Sequence, residues 1–303
     1  MLKRGYLQIS FGWMFAIIVG IFILFLAIFL ATRIISTEEA SLDATTTKKI
    51  EILLNPLETS FGEEKTNTLT LPSGTRINNK CDNGGSFGNQ WISISQKVFG
   101  KYSETGVNVN FENKYIFSDE YVEGKKFYLH SRTFEIPFKV ADLIFLTSEE
   151  YCFLDVPEEI INGIPLQDNI ITDREKCQPK SIMVCFAGGS NCDITVNYGR
   201  GYVEKNNERL YFSGNLLYGA IFSSPEIYEC QIKRLMQRTQ HLALLYYDKS
   251  YFISEKCQTD FKEDLLALGN DAKTFEDSSD LDRIYLLSET ILEKNERGEC
   301  QLW

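Results

Sequence analysis

Histidine is almost missing from this chain, which has two among 303 residues, His130 and His241. Its eight cysteines include no C-x-x-C pair. A zinc cluster or a thiol redox motif therefore has little to be built from. No N-x-Ser/Thr sequon occurs, so N-glycosylation is not expected. A repeat of roughly 20 to 50 residues is also missing. The nearest echo, Tyr151-Cys152-Phe153 against Val184-Cys185-Phe186, is too short to carry one.

Charge is missing from one stretch. Between Arg4 and Arg33 no charged residue occurs for 28 positions, and the 21 residues Phe11 to Ala31 are apolar or Gly. At about 1.5 Å per residue that run rises roughly 31 Å as a helix, against about 30 Å of bilayer hydrocarbon. Its fourteen Leu, Ile, Phe and Val residues favour insertion by about 4 to 8 kcal/mol. A cleaved secretory signal has an apolar stretch of about 7 to 15 residues and a small-x-small site. Leu30-Ala31-Thr32-Arg33 offers no such site, so the reading is a retained transmembrane helix over 11–32. Lys3 and Arg4 precede it, while Glu38, Glu39 and Asp43 follow Arg33, which predicts a cytoplasmic segment 1–10 and everything else outside. Tyr6 and Trp13 fall near the inner interface.

Basic residues are the scarcer charge. Three of the 31 (Lys3, Arg4 and Arg33) flank the apolar run, so 28 face 42 acidic residues beyond it, a charge of −14. That disfavours a nucleic-acid partner, whose phosphates need Lys and Arg. The cysteines (Cys81, Cys152, Cys177, Cys185, Cys192, Cys230, Cys257 and Cys300) all lie in this outer part. Their even number points to disulfides, with buried thiols or a metal site as the alternatives. Spacing does not fix the pairing, though Cys177, Cys185 and Cys192 are close enough for a short loop.

From residue 33 to 57 the helix is expected to continue as a stalk. Ile35, Leu42, Thr46, Ile50, Leu53 and Leu57 form one narrow stripe, and Pro56 ends it. That stripe suits a spacer, or a packing face for self-assembly or a membrane-protein partner. A head over 58–303 follows, β-rich across 68–222 and helical across 223–297. Trp91 to Ser95 and Val107 to Phe111 alternate as strands, and Gly-containing reversals separate such runs, which predicts an antiparallel sheet. Ser223-x-x-Glu226 reads as a capping box opening a long helix through Tyr228, Ile232, Leu235, Met236, Thr239, Leu242, Ala243 and Tyr246. Shorter helices are expected over Asp260 to Leu268 and Ser279 to Arg297. Strands followed by helices define an α+β head.

The first residues resemble a known family. Lys3-Arg4-Gly5, then Gln8-Ile9-Ser10-Phe11 running into the apolar helix, resembles the archaeal class III signal peptides of type IV pilin-like proteins, over about 30 of 303 residues. The resemblance implies cleavage between Leu7 and Gln8 by a prepilin peptidase and helices bundled in a filament. Leu7 stands where a small residue is usual, and Gly12 where a Glu normally neutralises a neighbour's amine. A missing Glu is what tip or minor subunits show.

No enzyme signature stands out. Gly188-Gly189-Ser190-Asn191-Cys192 lacks the final Gly and the following helix of a nucleophile elbow, and a hairpin turn explains it better. Glu63-Glu64, Glu149-Glu150 and Glu158-Glu159 read as solvated pairs, and Gly84 to Gly88 lacks a phosphate loop's Lys. Lys233, Arg234 and Arg238 form a basic stripe, read as a solvated helix face that could grip an acidic partner segment or the head's own carboxylates. The expected role is a structural or interaction module without cofactor. A tethered binding ectodomain for a small molecule or glycan comes second, and a tethered hydrolase third.

Overall fold

The computed structural model describes residues 11–33, 65–98, 100–102, 108–164, 167–189, 191–254, 260–298 and 300–303. The stalk after Arg33, the Leu7–Gln8 junction and Cys257 lie outside them. Helix α1, Phe11–Arg33, contains an 18-residue window with a mean hydropathy of 3.1, and all of its residues are exposed. The head is α+β, two sheets with helices between and beside them.

The first sheet holds β1 (Lys65–Asp82), β2 (Asn89–Val98), β3 (Lys101–Tyr102), β4 (Asn108–Phe111), β5 (Tyr115–Phe117), β6 (Tyr121–Glu135) and β7 (Lys139–Thr147), ordered β3-β2-β1-β6-β7-β5 with β4 on β2. It is antiparallel except where β5 runs parallel to β7. In β7, Leu143 and Phe145 enter one core while Ile144 and Leu146 enter another, and in β5 Tyr115 and Phe117 are divided from Ile116 in the same way. Successive side chains leave a strand on opposite faces, so a strand covered on both sides reads as an unbroken apolar run.

The second sheet is β13-β12-β11-β10-β8-β9, built from β8 (Tyr151–Leu154), β9 (Ile170–Ile171), β10 (Ile182–Cys185), β11 (Ile194–Asn197), β12 (Tyr202–Lys205) and β13 (Glu208–Tyr211). Here β10 pairs parallel with both β8 and β11, so the segment 186–193 is not the hairpin turn its Gly-rich sequence suggested. A parallel connection ordinarily takes a dozen or more residues. The Cys185–Cys192 disulfide lies inside this shorter one and holds it closed. Asn206 and Asn207, both at positive φ, turn β12 back into β13.

A short turn of helix, α2 (Glu158–Ile161), follows β8. Helix α3 (Leu216–Phe222) packs between the sheets, touching β7 and β12, and every one of its residues is buried. Gly219 makes this possible, since a Cβ there would sit 2.8 Å from the Phe117 ring. Helix α4 (Pro225–Ser254) is next, and Tyr228, Ile232, Leu235, Met236, Thr239 and Ala243 of the expected stripe are buried. The capping box is not formed. The helix opens at Pro225, two residues later than read, and the Ser223 hydroxyl has no hydrogen-bond partner. Proline at a first helical position fits there because its missing N–H would be unpaired anyway. Helix α5 (Lys262–Lys273) runs further than read, and α6 (Leu281–Arg297) buries Leu281, Ile284, Ser288 and Ile291 but exposes Tyr285.

Candidate functional site

The basic stripe was expected on a solvated face, and the structure corrects this. Arg234 is completely buried, whereas Lys233 and Arg238 are half-buried. Its guanidinium donates to the carbonyls of Phe87 (3.2 Å), Phe111 (3.2 Å), Glu112 (3.0 Å) and Lys114 (3.0 Å) and to Gln231 Oε1 (2.9 Å). Its partners are thus carbonyls rather than the carboxylates of a partner or of the head. Burial lowers the Arg234 pKa, while Arg234 and Arg238 oppose the burial-driven rise at Tyr115.

Around this residue the structure forms a seam. Gln237 donates to the Asn83 carbonyl at 2.7 Å, Phe87 lies 4.8 Å from the His241 ring, and the Cys81–Cys230 disulfide ties β1 to α4. Gly88 has φ +60°, and a Cβ there would fall 2.4 Å from the Asp82 carbonyl. Beside it, the Gln90 amide acts as a short strand toward β5: Nε2 donates to the Ile116 carbonyl at 2.7 Å and Oε1 accepts from the Ile116 N–H at 3.0 Å.

A cleft of about 400 Å³ opens where the sheets meet the start of α4. Asp119, Glu120, Glu149, Glu208 and Glu226 line it. Burial raises the Asp119 pKa, partly offset by Lys205. Burial likewise lowers that of Lys205, whose ammonium donates to the carbonyls of Ile221 (3.1 Å) and Ser223. Lys205 thus caps the C-terminal end of α3, where cations are favoured, and Asp119 is its nearby counter-charge. Both displaced groups have a structural explanation, and the cleft as a whole is a negative surface suited to a cation.

The other candidate residues are dispersed. His130 is buried, its Nε2 accepting from Arg132 Nε at 2.8 Å, and Arg132 and Tyr218 both donate to the Gly163 carbonyl. His241 lies at the seam. Glu150 accepts from the Ser181 hydroxyl, and Glu158 and Glu159 open α2. Among the described residues no group of three or more His, Cys, Asp or Glu is placed to hold a metal ion.

The cysteines pair as Cys81–Cys230, Cys152–Cys177 and Cys185–Cys192, and Cys300 is also disulfide-bonded. The expected short loop is therefore Cys185–Cys192, with Cys177 reaching back to β8. Large apolar side chains are exposed toward the end of α4, where Leu245, Tyr251 and Phe252 are 62%, 62% and 78% accessible. No family model, no curated protein and no solved structure matches this chain.

Proposed function

We propose that this chain is a membrane-anchored cell-surface protein with its N-terminus in the cytoplasm, its disulfide-braced head serving as a structural or interaction subunit of the minor or tip pilin-like kind. The observation that carries the reading is α1, an apolar helix of 23 residues, every one of them exposed. Such a surface needs lipid or other helices around it. The disulfides fit an oxidising compartment outside the cytosol. The exposed Leu245, Tyr251 and Phe252 fit a partner-binding patch. The pilin-like element rests on the residues Lys3 to Phe11.

Fractionation of native cells with a carbonate wash, followed by N-terminal mass spectrometry, tests both layers. The expected result is recovery in the membrane pellet with Gln8 as the first residue. Full-length soluble protein with reduced thiols would overturn the anchor, and an intact Met1 or Leu2 would remove the pilin-like part alone. The acidic cleft at Asp119 supports a second reading, a tethered ectodomain that binds a cationic small molecule; thermal shifts with polyamines test it.

A further inference from the structure

The acidic cleft at Asp119 leads into a second, smaller space. Asp119, Tyr121 and Glu149 also line a chamber of about 30 Å³, whose other walls include Leu146, Phe222 and Tyr151. One water-sized group needs roughly 10 to 15 Å³, so the chamber admits an ammonium head but nothing as bulky as a trimethylammonium or a guanidinium.

Three polar groups along this path lack the partners their burial calls for. Tyr151 is 2% exposed, and its N–H donates to the Asn169 carbonyl at 2.7 Å, but among the described residues its hydroxyl has no hydrogen-bond partner. The hydroxyls of Tyr218 and Tyr228, by contrast, donate to the carbonyls of Gly163 and Tyr211 at 2.5 Å. The Asp119 carboxylate accepts no hydrogen bond from the described residues, while the Lys205 ammonium near it donates to the carbonyls of Ile221 and Ser223 instead. Ser224 Oγ, on the outer cleft, is buried without a partner. Buried polar groups are ordinarily satisfied, so three of them in one connected hollow point to a ligand that brings donors. Burial, then the charges of Asp119 and Glu149, hold the Tyr151 proton in place, and the group stays a neutral phenol.

We propose that the chamber seats the primary ammonium of a linear aliphatic diamine or polyamine, with the Asp119 carboxylate and the Tyr151 hydroxyl as acceptors and the remaining ammonium groups among Glu120, Glu208 and Glu226 of the outer cleft. This rests on the second reading above, that the cleft binds a cationic small molecule, and adds which cation and where. An alkylammonium carries three donors and no acceptor, which suits walls made of carboxylates and a hydroxyl. The buried Leu146 and Phe222 suit the methylene chain beside the charge. A metal ion fits less well, because among the described residues no group of three His, Cys, Asp or Glu is placed to hold one.

The test is isothermal calorimetry on full-length protein in nanodiscs of net-neutral phosphatidylcholine, at physiological ionic strength, with putrescine, spermidine and the doubly quaternary, fully methylated analogue of putrescine. Both primary amines should bind, and the quaternary analogue, equal in charge to putrescine, should bind roughly tenfold more weakly or not at all. Tyr151→Phe loses only the hydroxyl and Asp119→Asn only the charge. Each should weaken putrescine binding roughly tenfold to a hundredfold, as loss of a hydrogen bond to a charged group does, with melting temperatures showing that both variants fold. Equal affinity for the quaternary analogue, or binding unchanged in either folded variant, overturns the chamber and leaves the cation-binding cleft standing. Failure of all three probes to bind overturns both. The comparison of ligands on wild type decides the matter even where a variant is unstable.

Discussion

Replacing Arg234 by Met keeps most of the side chain's length and removes its five donors. The four carbonyls it serves, of Phe87, Phe111, Glu112 and Lys114, then lose their partner inside the head. The bonds to Phe111 and Lys114 are buried and those to Phe87 and Glu112 are partly solvated, so the full cost of an unpaired acceptor, about 1 to 3 kcal/mol, applies to two of them, or about 2 to 6 kcal/mol together. Against this, the variant no longer buries a guanidinium, whose effective desolvation penalty is several kcal/mol. The two effects oppose each other and leave a net loss on the order of 2 kcal/mol, a sizeable share of the roughly 5 to 15 kcal/mol a domain has. Chemical denaturation of the head in oxidising buffer, followed by Trp91 and Trp303 fluorescence, measures it as a lower midpoint. Limited proteolysis should also find new cleavage at 82–88 and 111–114, the segments Arg234 holds. Arg234→Lys, with one compact donor group for four dispersed acceptors, should recover less than half of the loss. A Met variant within about 1 kcal/mol of wild type, with both segments still protected, would refute the assigned role.

Three further outcomes follow from the same geometry. Removing Cys81–Cys230, which closes a loop of 149 residues, should cost about 5 kcal/mol on the chain-entropy model, against about 2 kcal/mol for Cys185–Cys192 with a separation of 7; denaturation midpoints of the two double-serine variants rank them. Gly219→Ala drives a methyl into the Phe117 ring and should cost about 1 to 3 kcal/mol, read as a lower melting temperature. Asp119 keeps its proton to higher pH in the folded head than in the unfolded chain, so the stability this contributes is complete below the unfolded value and is lost as pH rises through the folded one. Melts of Asp119→Asn and wild type from about pH 4 to about pH 7 should therefore shift in the variant's favour as pH rises, and a shift the other way would refute the assignment.

The elements legible in the sequence are those whose burial is one-sided. Helix α4 shows its stripe because it packs on both sheets and on α5 while the rest of its surface meets water. Helix α3 is buried all round, and an apolar run of seven residues has no period to distinguish helix from strand. The parallel pairing of β10 with β11 was hidden by a connection too short to suggest it. Arg234 was misread for a related reason. Its neighbours Lys233 and Arg238 are partly solvated, and the carbonyls that need it lie 120 to 147 residues earlier in the chain. Local spacing carries no trace of a demand made at that distance. The Asn206-Asn207 reversal was legible in principle, since two adjacent asparagines are among the residues that adopt left-handed backbone most readily.

The position of Cys81 has a mechanical side. A pull on the chain ahead of the head arrives at Lys65, the first residue of β1, and loads that strand's pairing with β6 and, from Thr75 onward, with β2. Peeling stops at Cys81, where a covalent link passes the tension to the middle of the structure through α4. The head can therefore lengthen by one strand under load while the core beyond the link stays shut.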